Sequence, residues 1–232
     1  MLIRDGKTGK TLVEPPFPGI RRMQIQKTKQ NWSEGLNIRF GKRLVDITTT
    51  SSGVTAHFED GTSEIGSVLI GADGGTSRVR KWLLGPLAAP DVLPYVFMNF
   101  SFQVTADNAV YLDKQIHPIV DVGVHPRSMY IGLFVLDKPD LAKPETWIFY
   151  ILATWPKTTA EDEENTGDRL KRLRARMGDD WCEPYKSAVS WVPDDVEIKR
   201  DELKIWHGKK WDNKEGRVTL AGDAAHSMTF RK

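Results

Sequence analysis

Two short runs of the sequence carry residue types suited to holding a ligand, Gly71-Ala72-Asp73-Gly74-Gly75-Thr76-Ser77 and Gly222-Asp223-Ala224-Ala225-His226. In each, an aspartate stands just past a short apolar run, among residues with little or no side chain. α/β folds place ligands there, in the crevice beyond the carboxyl ends of strands. Gly71, Gly74 and Gly75 allow positive φ and close approach of a ligand to the backbone. Thr76 or Ser77 is placed to cap a helix whose unpaired N–H groups and positive dipole end suit a phosphate or pyrophosphate. Asp223 offers two acceptor oxygens spaced for a vicinal diol such as a ribose, and Ala224 and Ala225 leave room for it. Taken singly, the first run also reads as a tight turn and the second as a helix cap.

Other chemistries find less support. Gly9-Lys10-Thr11 has the ending of a phosphate-binding loop, but the glycine required five positions earlier is Arg4, and no strand can precede it. The five histidines, His57, His117, His125, His207 and His226, contain no His-x-x-x-His pair, and there is no Cys-x-x-Cys, which argues against zinc. No Gly-x-Ser-x-Gly elbow is present for a serine nucleophile. The eight tryptophans read mainly as core and interface anchors, with one or two available to line an aromatic pocket.

The elements that must position the two runs can be read from periodicity. Val68-Leu69-Ile70 is a continuous apolar run, which predicts a strand buried on both faces. Arg78 to Leu84 predicts a helix stopped by Gly85-Pro86. Upstream, Leu36 to Phe40, Leu44 to Ile47 and Val54 to Phe58 alternate, and Asp60-Gly61 is a hairpin signal, so 36–66 reads as a small antiparallel ribbon. Four β-rich segments, 96–104, 119–124, 129–136 and 147–154, predict an antiparallel sheet as a second layer. Acids at 161–164 precede a helix over 169–177 with Leu170, Leu173 and Met177 on one face, its five basic residues forming a solvated face. Arg217 to Ala221 returns to a buried strand, and residues 1–30 read as loop leading into a possible helix. The expectation is a mixed α/β (α+β) chain in three pieces: 1–93 and 211–232 from a ligand-binding α/β domain, with a β-rich domain over 94–210 inserted between them.

Composition sets the frame. The 232 residues are 40% hydrophobic and 28% charged, enough to bury a core without staples. Lone Cys182 cannot form an internal bridge and fits a reducing compartment. A net charge of +2 is too balanced to imply a nucleic-acid or acidic-membrane partner. The longest apolar run, Trp147 to Trp155, is too short to span a membrane, and the first residues lack the apolar stretch of a signal peptide. These features predict a soluble, cytoplasmic protein.

The full strings carry more than their parts. Asp73-Gly74-Gly75-Thr76-Ser77-Arg78-Val79-Arg80 resembles the Asp-Gly-x-x-Ser-x-x-Arg fingerprint of class A FAD-dependent monooxygenases, the aromatic hydroxylases of the para-hydroxybenzoate hydroxylase type. Gly222-Asp223-Ala224-Ala225-His226 resembles their Gly-Asp-Ala-Ala-His fingerprint, and the separation of about 150 residues with a β-rich stretch between is similar too. The resemblance implies a partial FAD-binding α/β domain with an inserted, mainly antiparallel β-sheet substrate domain. It implies FAD as cofactor, NADPH or NADH as reductant, and O2-dependent hydroxylation of an aromatic or polycyclic small molecule. It assigns Asp73, Gly74, Ser77 and Arg80 to the region of the FAD pyrophosphate and the nicotinamide nucleotide, and Gly222 and Asp223 to the FAD ribose. An upstream helix arginine that reaches the cofactor would be Arg21 or Arg22, of which Arg22 is taken here, although Gln24 and Ile25 replace the usual leucine pattern. No Gly-x-Gly occurs in the chain, and the prolines and glycine-rich helix start that follow the second fingerprint are absent. The expectation is therefore a fragment of a longer enzyme, or, as the alternative, a catalytically inactive remnant acting as a binding or interaction module.

Overall fold

The computed structural model describes residues 1–14, 34–158 and 168–227. The chain divides into two compact units, Met1–Gly35 with Pro94–Glu202 and Leu36–Leu93 with Leu203–Lys232. In chain order come strands β1 (Leu2–Asp5), β2 (Thr11–Val13), β3 (Leu44–Thr50), β4 (Gly53–Phe58), β5 (Ser63–Gly66) and β6 (Leu69–Gly71), then helix α1 (Arg78–Leu84). Next are β7 (Asp91–Val92), β8 (Tyr95–Phe102), helix α2 (Ala106–Gln115), β9 (Asp121–His125), β10 (Met129–Asp137) and β11 (Ile148–Pro156). Helices α3 (Arg169–Met177) and α4 (Tyr185–Ser190) follow, then β12 (Lys204–Ile205) and β13 (Val218–Leu220).

In the first unit the four expected β segments all form strands and pair antiparallel in the order β9-β10-β11-β8. The sheet is six-stranded, because β1 lies parallel to β9 and β2 pairs with β1. This corrects the reading of the first residues as loop. It also moves them: residues 1–14 group with the β-rich unit and not, as the sequence division had it, with the segment that carries Asp73. Alternation buries one face of the sheet, where Met98, Ile131, Leu133, Phe149 and Ile151 are fully buried against Leu112 of α2, Leu173 of α3 and Ala188 of α4. Helix α3 is capped by Asp168, which accepts from the Lys171 N–H, and buries Leu170, Leu173 and Met177. Its basic residues are not all solvated as expected. Arg169 is buried and donates to the Phe97 carbonyl at 2.8 Å. A polar cluster closes the same core: fully buried Asp121 accepts from the Arg4 guanidinium at 2.8 and 3.0 Å and from the Tyr185 hydroxyl at 2.5 Å. Burial, and then that carboxylate, push the Tyr185 hydroxyl well above the ordinary tyrosine range.

In the second unit β3, β4 and β5 form an antiparallel sheet, with Asp60-Gly61 turning β4 into β5 as predicted. The alternation over Leu36 to Phe40 does not become a strand. No described strand pairs with it, and Leu36, Ile38 and Phe40 are exposed. Among the described residues a second sheet holds only β6 and β13, paired in parallel. For that reason β6 is not buried on both faces: with one partner strand, Val68 and Ile70 stay exposed while Gly71 is buried. The core here is small, with Ile47, Val54, Val79, Val218 and Leu220 closed off by Ala224 and Ala225. Among the described residues no helix is long and apolar enough to cross a membrane. No three His, Cys, Asp or Glu side chains among them are grouped to hold a metal ion.

Candidate functional site

The two sequence runs are built side by side. Strands β6 and β13 are parallel and in register, Gly71 opposite Leu220, so Asp73 and Asp223 both lie just past the same ends of neighbouring strands. The Ala221 N–H donates to the Gly71 carbonyl at 2.9 Å, extending the pairing to the mouth of the second turn. Gly71 is needed for packing: a Cβ there would lie 2.5 Å from the Val79 Cβ, so only glycine lets α1 pack this closely on the strand. Gly74 and Gly222, at φ +82° and +57°, take the left-handed backbone that other residues avoid, and a Cβ at either would meet nothing within 4 Å.

The first turn is closed on itself. The Asp73 carboxylate accepts from the Ser77 hydroxyl at 2.5 Å, from the Arg78 N–H at 2.7 Å and from the Val79 N–H at 3.3 Å. Ser77 caps α1, its oxygen accepting from the Arg80 N–H at 2.9 Å, which settles the choice between Thr76 and Ser77. The expectation that the amides of this helix start are unpaired and face a crevice is therefore corrected. Asp73 and Ser77 take those N–H groups, because a carboxylate five residues upstream reaches back over the first turn of so short a helix. The second turn is the converse. Gly222–Ala224 form a single 3-10 turn, Asp223 is exposed, and no described residue donates to its carboxylate.

Arg80 joins the two. Its side chain is buried, and each of its three nitrogens donates to a backbone carbonyl: Gly75 of the first turn, Ala88 at 3.1 Å, and Asp223 and Ala224 of the second turn at 3.3 and 2.9 Å. The Trp206 ring lies 4.7 Å from the guanidinium, held by its own N–H donating to the Leu87 carbonyl at 2.9 Å. Burial pulls the Arg80 pKa down, which the nearby Asp73 charge opposes, because no carboxylate pairs with it directly. Trp206 is a site residue that sequence reading missed; it sits 126 positions from Arg80 with no local pattern to signal the contact.

Two clefts flank α1. One, of about 540 Å³, runs between the β3–β4 strands and the first turn and is lined by Asp73, Thr76 and Arg78 together with Lys42 and Arg43. The other, of about 600 Å³, is lined by Ser77, Arg80, Lys81 and Lys204 over an apolar wall from Pro86 to Pro90. Neither is lined by Asp223. The site thus brings together Asp73, Gly74, Ser77, Arg80, Gly222 and Asp223, while Arg22 lies outside the described residues.

Residues 28–230 match the family described as FAD binding domain. Over 97% of its length the chain is 30% identical to the FAD-dependent monooxygenase phnB of Penicillium herquei, of which it spans 56%. Its fold is similar to that of 2,6-dihydroxypyridine-3-hydroxylase from Arthrobacter nicotinovorans, with a TM-score of 0.69 at 20% identity, over 98% of this chain and 60% of that one. It is also similar to Klebsiella pneumoniae HpxO complexed with FAD and uric acid, with a TM-score of 0.63 at 24% identity, over 97% of this chain and 56% of that one. The chain thus spans somewhat more than half the length of the proteins it matches.

Proposed function

The chain belongs to the FAD binding domain family of FAD-dependent monooxygenases, and on that premise we propose that its two turns hold FAD. We propose further that the whole enzyme uses NADPH or NADH and O2 to hydroxylate an aromatic or polycyclic small molecule. The observation that carries the reading is the pair of turns at matching ends of β6 and β13, one of them presenting a carboxylate that no described residue engages. A ribose diol supplies two O–H donors for such a carboxylate, a charge-assisted pair stronger than neutral hydrogen bonds. Gly222 and Gly74 leave open space at the backbone, which suits a cofactor lying against both turns.

FAD, when bound, supplies the redox chemistry, accepting a hydride from the nicotinamide nucleotide and activating O2. The chain's own residues divide the binding work. Asp223 orients the ribose. Asp73 and Ser77 hold the first turn in shape, so that Gly74 and Gly75 meet the cofactor through backbone atoms. Arg80 fixes the spacing of the two turns and adds a buried positive charge near an anionic cofactor. HpxO, which is complexed with FAD and uric acid, supports an aromatic heterocycle or related ring as the substrate class.

The test is a titration of FAD into the purified chain, read by quenching of flavin fluorescence, with NADPH consumption followed in parallel. Saturable binding that Asp223→Ala weakens is the expected result. A colourless chain that takes up no FAD and consumes no NADPH when FAD is added overturns the reading and favours a binding or interaction module.

A further inference from the structure

The cleft of about 600 Å³ beside α1 is lined by neither Asp73 nor Asp223, nor by any glycine of the two turns, yet it has the size of a small-molecule site, roughly 300–1,000 Å³. All of its described lining lies within the second unit. One side is cationic: Arg80, Lys81 and Lys204 line it, and no described lining residue is Asp or Glu. Arg80 is buried with no carboxylate bonded to it, and its four bonds to carbonyls leave at least one of its five N–H donors unmatched. A buried guanidinium in that state carries a desolvation cost that an anion beside it would offset. Lys81 is exposed and pairs with no acid among the described residues, and the exposed Thr76 adds a hydroxyl.

The wall from Pro86 to Pro90 has little left with which to bond. Its two prolines carry no N–H. The Ala89 N–H donates to the Pro86 carbonyl at 3.3 Å, and the Ala88 carbonyl accepts from Arg80 at 3.1 Å. A nucleotide laid along this wall would leave ribose hydroxyls and ring nitrogens without partners, whereas an apolar body loses nothing there.

We propose that this cleft binds an organic anion with one acidic head and an apolar body, such as an aryl carboxylate or sulfonate, its head at Arg80 and Lys81 and its body along Pro86 to Pro90. The ligand is separate from the cofactor, and the proposal stands without FAD at the turns. Because Arg80 also donates to carbonyls of both turns, the bound anion rests on the group that spaces them.

The probes are 8-anilinonaphthalene-1-sulfonate and N-phenyl-1-naphthylamine, the same rings without the sulfonate, titrated into the purified chain and read by the rise in probe fluorescence. Saturable binding of the sulfonate, at least about tenfold tighter than that of the neutral amine, is expected. Lys81→Glu should weaken the sulfonate about tenfold, and Ala89→Trp, which fills the cleft from an exposed position, should abolish its binding. Both variants should melt within about 1 °C of wild type, as exposed substitutions do. If Ala89→Trp fails to fold, Lys81→Glu carries the test. Excess FAD or NADPH should leave the sulfonate bound. Equal affinity for the two probes, or wild-type sulfonate binding in either folded variant, overturns the proposal. Displacement by FAD or NADPH also overturns it, by giving the cleft to the cofactors. A chain that binds the sulfonate but takes up no FAD supports the proposal and overturns only the flavoenzyme reading.

Discussion

The turns after β6 and β13 are close relatives in sequence, each an aspartate among small residues beyond a strand, yet their carboxylates face opposite demands. Asp73 is saturated by one hydroxyl and two backbone N–H groups of its own turn and helix. Asp223 receives no donor from any described residue. One aspartate builds the site and the other is left for a ligand. Arg80 makes the division cooperative: it donates to carbonyls of both turns, so the shape that Asp73 enforces is passed on to the turn that carries Asp223.

The comparison breaks most readily at Arg80. Arg80→Met keeps much of the apolar stem but leaves the carbonyls of Gly75, Ala88, Asp223 and Ala224 without their donor. Unsatisfied buried acceptors cost about 1–3 kcal/mol each and do not add fully, so we expect a loss of about 3–5 kcal/mol. In a thermal melt that corresponds to a drop of roughly 10 °C, with FAD uptake abolished. A variant that melts and binds FAD as wild type does would show that the two turns hold their spacing without the guanidinium.

The next largest effects separate the two aspartates directly. Asp223→Ala should weaken FAD about 10- to 100-fold, the loss of hydrogen bonds to a charged acceptor, while the melting temperature stays within about 1 °C, as for an exposed substitution. Asp73→Ala should do the reverse first. It removes three hydrogen bonds at the start of α1, costs about 2 kcal/mol, and lowers the melting temperature by several degrees, with FAD affinity falling only as the turn loosens. If both variants lose FAD equally at unchanged stability, Asp73 contacts the cofactor itself and the division of labour fails.

Much of this was legible in the sequence, and what was not has identifiable causes. The four β segments, the Asp60-Gly61 hairpin, the α1 and α3 helices and both aspartate turns follow from local periodicity and turn chemistry, and they stand where residue patterns put them. Residues 2–13 could not be read as strands, because β1 is specified by pairing with β9 more than a hundred residues away. Leu36 to Phe40 had the pattern of a strand but no edge to join. Asp73 and Asp223 were indistinguishable as letters, since what separates them is the count of donors each meets in space. The Arg80 side chain's carbonyl partners and Trp206 are likewise long-range, with no periodic signal.

A milder perturbation uses pH. The two turns, 71–77 and 222–226, contain no tyrosine. The six-stranded unit instead contains Tyr185, neutral and buried against the Asp121 carboxylate. A raised folded-state pKa means that its contribution is fully present below the unfolded tyrosine value of about 10 and is lost as pH rises above it. Melting temperature should therefore fall above about pH 10, and Tyr185→Phe should flatten that fall while starting from a lower stability at neutral pH. An identical alkaline fall in Tyr185→Phe would place the titrating group elsewhere.

The smallest effect tests the link on which the contrast between the turns depends. Ser77 both caps α1 and donates to Asp73, whereas Thr76 is exposed and caps nothing. Ser77→Ala should cost about 1 kcal/mol, or roughly 2–4 °C, and Thr76→Ala less than about 0.5 kcal/mol. Were Thr76→Ala the more damaging of the two, the cap would be misassigned. The Asp73 carboxylate would then lose the hydroxyl that ties it to the helix and would stand as open to a ligand as that of Asp223.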